Sequence, residues 1–235
     1  MIIRSYKAVV KDGKQRDLEQ FLAERKALVE RDFYNTEKIM NANVFSFHSE
    51  LYCYIESIGE EILPNQLFCG MEEFLTKWPD GEDKYFHPMT NIFHFNEPQS
   101  VSHWARKKKP DYCFGMLAKL IPDLVSRYVF YHYQFQEEQP GAGDKYGSIF
   151  LSGDTAFYYG ETPELFEPAQ HTGSLTTHNT PKGHEWQKLM GSHFIWGDER
   201  FPACNILEYD WEKNGYPTGQ RNHQWLYLKN IFSIC

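Results

Sequence analysis

Polar and apolar positions alternate along this chain in short blocks, and the blocks run through one order twice. Residues 2–10, Ile2 to Val10, alternate and are rich in β-branched side chains, which predicts a strand. Asp12-Gly13 turns the chain. From Lys14 to Asn35 the apolar residues Leu18, Phe21, Leu22, Leu28 and Val29 return on a helical period, which predicts a helix with one buried stripe. Two alternating runs follow, Asn43 to Phe47 and Leu51 to Glu56, and read as a hairpin turning at Ser49-Glu50. Gly70 to Lys77 reads as a short helix stopped by Pro79, and Thr90 to Phe95 as a closing strand.

The second pass begins with a strand over Cys113 to Ile121. Pro122-Asp123 opens a helix that runs to about Gln139. A proline is tolerated in that first turn because its missing N–H has no helical partner to lose. A hairpin over Tyr146 to Leu151 and Ala156 to Glu161 turns at Ser152-Gly153-Asp154. Gly183 to Ser192 reads as a helix and Trp225 to Ile234 as the closing strand. Both closing strands carry Asn-Ile-Phe, at Asn91-Ile92-Phe93 and Asn230-Ile231-Phe232. A repeat in this order predicts an internal duplication of the β-α-β-β-α-β pattern. The predicted class is therefore α+β, with tandem ferredoxin-like modules over residues 1–100 and 111–235. Two irregular insertions, 162–182 and 197–221, flank the short helix of the second copy, and the latter contains the strand-like Asn205 to Tyr209. Long loops on a rigid scaffold are where sites are usually built.

Aromatic residues make up 17% of the 235-residue chain, enough to build both a core and a ring-lined pocket. The net charge of −8 argues against a nucleic-acid surface, and the basic run Arg106-Lys107-Lys108-Lys109 reads as a solvated linker between the copies. Five cysteines without a C-x-x-C pair point to reduced thiols. The chain opens without the apolar core of a signal peptide and contains no apolar run near the ~18 residues of a membrane helix, so a soluble cytoplasmic protein is expected.

Candidate chemistry gathers in the second copy. Tyr128 and His132 stand four apart and share a helix face, where a histidine could move a proton near neutral pH and a tyrosine could orient an oxygen. The same pair also fits plain packing at the edge of a core. Trp186, with Gln187 and Lys188, could stack on and hydrogen-bond a small ligand, or Trp186 could simply pair with Met190 in a core. His171, His178, His184 and His193 lack metal-ligand spacing. No Gly-rich phosphate loop and no nucleophile elbow occurs.

Cys113-Phe114-Gly115-Met116, then Pro122-Asp123, then Tyr128-x-x-x-His132, and later Trp186-x-Lys188-x-Met190, resemble the L-rhamnose mutarotase family in order and spacing over residues 112–235. The resemblance implies ferredoxin-like modules forming a dimeric α/β barrel, here within one chain, as a monomeric pseudo-dimer or a weak homodimer. It implies a cofactor-independent mutarotase with His132 as acid/base and Tyr128, Trp186, Tyr146 and Lys188 as contacts to a monosaccharide. The family's second tryptophan is Gln187 here, and its strand tyrosine falls at Gly147, next to Tyr146. The first copy offers Phe21-x-x-x-Arg25 in place of Tyr and His, and an arginine stays protonated, so it reads as a degenerate partner. Two other readings remain open: a binding module without chemistry, and a monooxygenase-like enzyme on the same barrel fold.

Overall fold

A computed structural model describes residues 1–79, 84–195 and 225–235. The chain divides into two compact units: residues 1–90, 98–113 and 228–235 form the first, and residues 91–97 and 114–227 the second. The predicted piece Asn205 to Tyr209, most of the second insertion and Cys204 lie outside the described residues.

In the first unit β1 (Ile2–Val9) leads into α1 (Gln15–Val29), which ends in a wider π turn over Glu30–Tyr34. The hairpin is β2 (Ile39–Phe47) and β3 (Glu50–Ser57), and its turn falls at His48-Ser49, with His48 at φ 51°. The helical stripe faces inward as its period predicts: Leu18, Leu22 and Val29 are fully buried against Ala8, Val10, Val44 and Ile55. Each such side chain contributes on the order of 1.5–3 kcal/mol.

The predicted helix from Gly70 to Lys77 is not formed. Instead there is one turn, α2 (Pro64–Leu67), and a 3-10 turn over Met71–Phe74. The reason is Leu75, which bridges antiparallel to Val10 while the Thr76 N–H donates to the Val9 carbonyl, so the backbone must be extended there. β4 (His87–His94) starts three residues earlier than predicted, its first residues pairing with β1.

The linker is also more than a solvated run. α3 (Val101–Trp104) is capped by the Ser100 hydroxyl and presents a buried Trp104. Trp104 Nε1–H donates to Glu56 at 3.0 Å, Tyr54 donates to the same carboxylate at 2.7 Å, and Arg106 forks onto both of its oxygens. Glu56 has no solvent exposure, so its charge is tolerable only because each oxygen is hydrogen-bonded and paired. Lys107, Lys108 and Lys109 alone stay exposed.

The second unit repeats the plan. β5 (Tyr112–Lys119) reaches it from Phe114 onward. A 3-10 turn at Pro122–Leu124 feeds α4 (Val125–Glu138), and β6 (Ser148–Ser152) and β7 (Thr155–Thr162) form the hairpin. α5 (His184–Gly191) follows. Tyr159 donates to Glu161 as Tyr54 does to Glu56, one repeat later.

The closing strands depart from expectation in an instructive way. The run from Trp225 to Ile234 is two strands, β8 (Leu226–Tyr227) on β5 and β9 (Lys229–Ile234) on β2. The first unit's sheet order is β4-β1-β3-β2-β9 and the second's is β8-β5-β7-β6-β4. Each copy's final strand thus closes its own sheet with its first residues and serves the other unit with its last. The α+β class and the two ferredoxin-like units stand as predicted. The shift between Val44 and Phe45 in the β2–β9 register is bridged by Asn230, whose amide donates to Asn43 at 3.2 Å and to the Cys113 carbonyl at 3.0 Å.

Candidate functional site

α4 carries the chemistry of the second unit, and its helical geometry places Tyr128 and His132 on one buried face. Phe130 and Tyr133, which sequence reasoning counted as packing, point outward at 59% and 47% exposure. The ring of His132 is boxed by Tyr128 at 4.1 Å, Phe93 at 5.1 Å and Trp186 at 5.3 Å between centroids. Its Nδ1 lies 3.0 Å from the Tyr128 carbonyl. A carbonyl only accepts, so Nδ1 carries the proton and Nε2 keeps the lone pair. Burial pulls the proton affinity of this ring down to about 4. The Tyr128 carbonyl opposes that pull and His193 adds to it. At neutral pH His132 is a fixed, uncharged acceptor.

This ring is part of the wall of a cavity of about 390 Å³ lying wholly within the second unit. That is the scale of a small-ligand site. Phe93, Phe95, Phe135, Trp186, Phe194 and Trp225 supply most of the surface. The polar lining is sparse: His132, the phenols of Tyr128 and Tyr158, Asp144, Glu164 and Gln187. Burial pushes the Tyr128 phenol well above its ordinary value, and it does the same for Tyr158 with help from Asp144 and Glu164. Both are protonated hydroxyls.

Of the residues singled out in the sequence, Tyr128, His132 and Trp186 come together here. Tyr146 and Lys188 do not line the cavity. Tyr146 is buried in the turn before β6, with its ring under the ammonium of Lys145 at 5.6 Å, while Lys188 is exposed on α5. The place expected for a strand tyrosine is taken from another direction. A Cβ on Gly147 would stand 2.5 Å from the Tyr158 hydroxyl, so the absence of a side chain at 147 makes room for the phenol that β7 delivers.

Sequence reading missed Asp144, Glu164 and Phe166, which reach the wall from two loop segments laced together. Asp144 bridges antiparallel to Phe166, the Lys145 N–H donates to the Leu165 carbonyl at 2.7 Å, and the Leu165 N–H donates to Asp144 Oδ1 at 3.1 Å. Lys145 Nζ reaches both oxygens of Glu167 at 3.2 Å. Burial pushes the Asp144 carboxyl up to about 6, against the Leu165 N–H and with Glu161 and Glu164 adding to the rise.

The rest of the first insertion is tied down at the end of α4. Glu138 accepts from Thr177 Oγ1 at 2.6 Å, from the Thr180 N–H at 2.8 Å and from the Asn179 N–H at 3.2 Å, and Glu137 accepts from the Ser174 N–H at 2.7 Å. Among the described residues no group of three histidine, cysteine or acidic side chains could hold a metal ion, and no helix is long and apolar enough to cross a membrane.

No protein-family model and no curated protein matches this chain. Among solved structures, it is similar to an anthrone oxidase-like protein at 9% identity and a TM-score of 0.36, over 82% of this chain and 86% of that one. It is similar to a provisionally assigned monooxygenase from Fusobacterium nucleatum subsp. nucleatum at 8% identity and a TM-score of 0.33, over 68% of this chain and 73% of that one. A provisionally assigned monooxygenase from Lactobacillus acidophilus matches at 8% identity and a TM-score of 0.33, over 68% and 75% of the two chains.

Proposed function

We propose that the second unit binds a small aromatic molecule bearing ionisable hydroxyls and that His132 accepts a proton from it. The observation that carries this reading is the wall around His132: rings from several sides, and few polar atoms between them. A ligand hydroxyl buried against a ring without a partner costs about 1–3 kcal/mol, so a ligand with hydroxyls on every side is penalised and a flat aromatic one is not. Planar ligands also gain from offset and edge-on contacts with Phe93, Phe135 and Trp186.

The chemistry follows from the state of the imidazole. Nε2 accepts the hydroxyl proton, and the low proton affinity of the isolated ring is offset by the phenolate that forms beside it, since opposite charges attract strongly where water is excluded. The charge then spreads to the ring carbon next to the hydroxyl, which becomes open to protonation or to attack on an electrophile such as dioxygen. A monooxygenase-like outcome begins from this anion and asks the protein only for deprotonation and confinement.

Deuterium exchange at the ring carbons of dihydroxynaphthalenes tests this directly. Wild-type protein is expected to accelerate exchange, with oxygen uptake followed alongside, and His132→Gln to slow it by about 10²-fold or more. Equal exchange with and without His132 would remove it from this role. A second reading, mutarotation of a monosaccharide, is favoured by the meeting of Tyr128, His132 and Trp186 at one cavity. Saturation-transfer NMR on hexoses, deoxyhexoses and pentoses distinguishes it, because only a mutarotase accelerates exchange between anomers.

A further inference from the structure

Asp144 is the most unusual polar group in the cavity wall. It is 3% exposed, and its Oδ1 is committed to the Leu165 N–H at 3.1 Å, with the Tyr146 N–H further off at 3.5 Å. Its Oδ2 is buried without a hydrogen-bond partner. A buried carboxylate oxygen left unsatisfied costs about 1–3 kcal/mol or more, a cost removed by any molecule that brings a donor to it. No lysine or arginine stands among the described residues of the wall, whereas a second acid, Glu164, does. The nearest ammonium in sequence, Lys145, is turned onto Glu167.

We propose that Asp144 selects the charge class of the ligand: Oδ2 receives a hydrogen bond from a hydroxyl or a protonated amine on the bound ring and turns away carboxylates and phosphates. This rests on the reading of the cavity as an aromatic-ligand site and adds to it which end of the ligand lies where. A ligand with two donors spans the cavity, one on His132 Nε2 and one on Asp144 Oδ2. Both protein atoms accept, so neutral or cationic ligands are matched and anionic ones meet only like charge or ring faces.

Several groups bear on the ionisation of Asp144. Glu161 on β7 and Glu164 beside the bridge favour the protonated form, and the Leu165 and Tyr146 N–H groups favour the carboxylate. With its carboxyl pushed up to about 6, the rejection of anions strengthens as pH rises through that value.

The test uses four probes of one shape: naphthalene, 2-naphthol, 2-(aminomethyl)naphthalene and 2-naphthoate. Each is titrated calorimetrically into the full chain as wild type, Asp144→Asn, Glu164→Gln and Trp186→Ala. Wild type is expected to bind the alcohol and the amine at least about 10-fold more tightly than the carboxylate, the worth of one charge-assisted hydrogen bond. Asp144→Asn keeps an acceptor for the Leu165 N–H and is expected to collapse that preference to within about 3-fold, with naphthalene affinity unchanged and a melting curve like wild type. Glu164→Gln is expected to retain most of the preference. If naphthalene binds and depends on Trp186 but the preference survives Asp144→Asn, the assignment of Asp144 is overturned and the aromatic reading stands. If no naphthalene binds, or Trp186→Ala binds it as wild type does, the aromatic reading falls and this inference with it.

Discussion

Phe93 and Phe232 hold the same place in the two Asn-Ile-Phe strands, and each lies in the core that the other copy's helices and hairpin build. Phe232 packs edge-on to Phe68 at 5.0 Å in the first unit, with Leu18, Leu22 and Val44 in the same core. Phe93 packs on His132 and Phe135 in the second, at 5.1 and 5.8 Å. Truncating either ring to alanine is expected to cost about 3–5 kcal/mol. Hydrogen exchange separates the two. Phe232→Ala should loosen amides of α1 and β2, whereas Phe93→Ala should loosen α4 and weaken ligand binding in the cavity.

His132 and Asp144 give stability opposite slopes with pH. The folded-state value of His132, about 4, lies below the 6.5 of a free histidine. Its contribution is therefore complete above about pH 6.5 and lost as pH falls toward 4. Asp144 is raised from 3.8 to about 6, so its contribution is complete below about pH 3.8 and lost as pH rises toward 6. Between about pH 4 and 6 the two offset one another. Urea titrations of Asp144→Asn across this window should show stability climbing with pH more steeply than in wild type. An unchanged slope would mean that Asp144 titrates as an ordinary carboxylate.

Glu138 is the pin of the first insertion. Burial alone would raise its carboxyl, but donors from Thr177 and Thr180 outweigh this and hold it at about 2. The contribution is complete above about pH 4.5 and is lost as pH falls toward 2. Glu138→Ala is expected to destabilise the chain by about 1–3 kcal/mol and to open the 174–180 segment to limited proteolysis at neutral pH, with α4 still protected. Resistance equal to wild type would assign the loop's order to other contacts.

Gly147→Ala should disturb Tyr158, because the new methyl would stand 2.5 Å from its hydroxyl. The expected loss is about 1–3 kcal/mol, together with weaker ligand binding. Tyr158→Phe removes the clashing oxygen, so the double variant should recover part of the stability lost by Gly147→Ala. A double-mutant cycle with no coupling would show that the ring moves aside freely.

Much of the scaffold was legible in the sequence because it is written in local periods. The stripe of Leu18, Leu22 and Val29 and the alternation of Ala156 to Glu161 each specify an element and its buried face. The i,i+4 relation alone put Tyr128 and His132 side by side. Strand partnership was not legible. Alternation marks which face of Ile231-Phe232 is apolar but not which sheet receives it, so the exchange of closing strands stayed hidden. Asp144 was equally invisible. It sits in a turn without periodicity, and its importance arises from a bridge to Phe166, far along the chain, that no spacing encodes. Lys188 failed for the opposite reason: the family-like run around it is real, but the helix turns that position to solvent.

The exchanged strands also bear on how the chain matures on the ribosome. β2 is synthesised early, yet its outer neighbour β9 is among the last segments to emerge. Throughout elongation the first unit therefore carries a bare, hydrogen-bond-hungry edge, while the second unit receives its borrowed strand from β4, already made. Maturation is thus asymmetric in time even though the two copies are alike in plan. The nascent first half depends on chaperones or on rapid translation to keep that edge from pairing with other chains until its own last strand arrives.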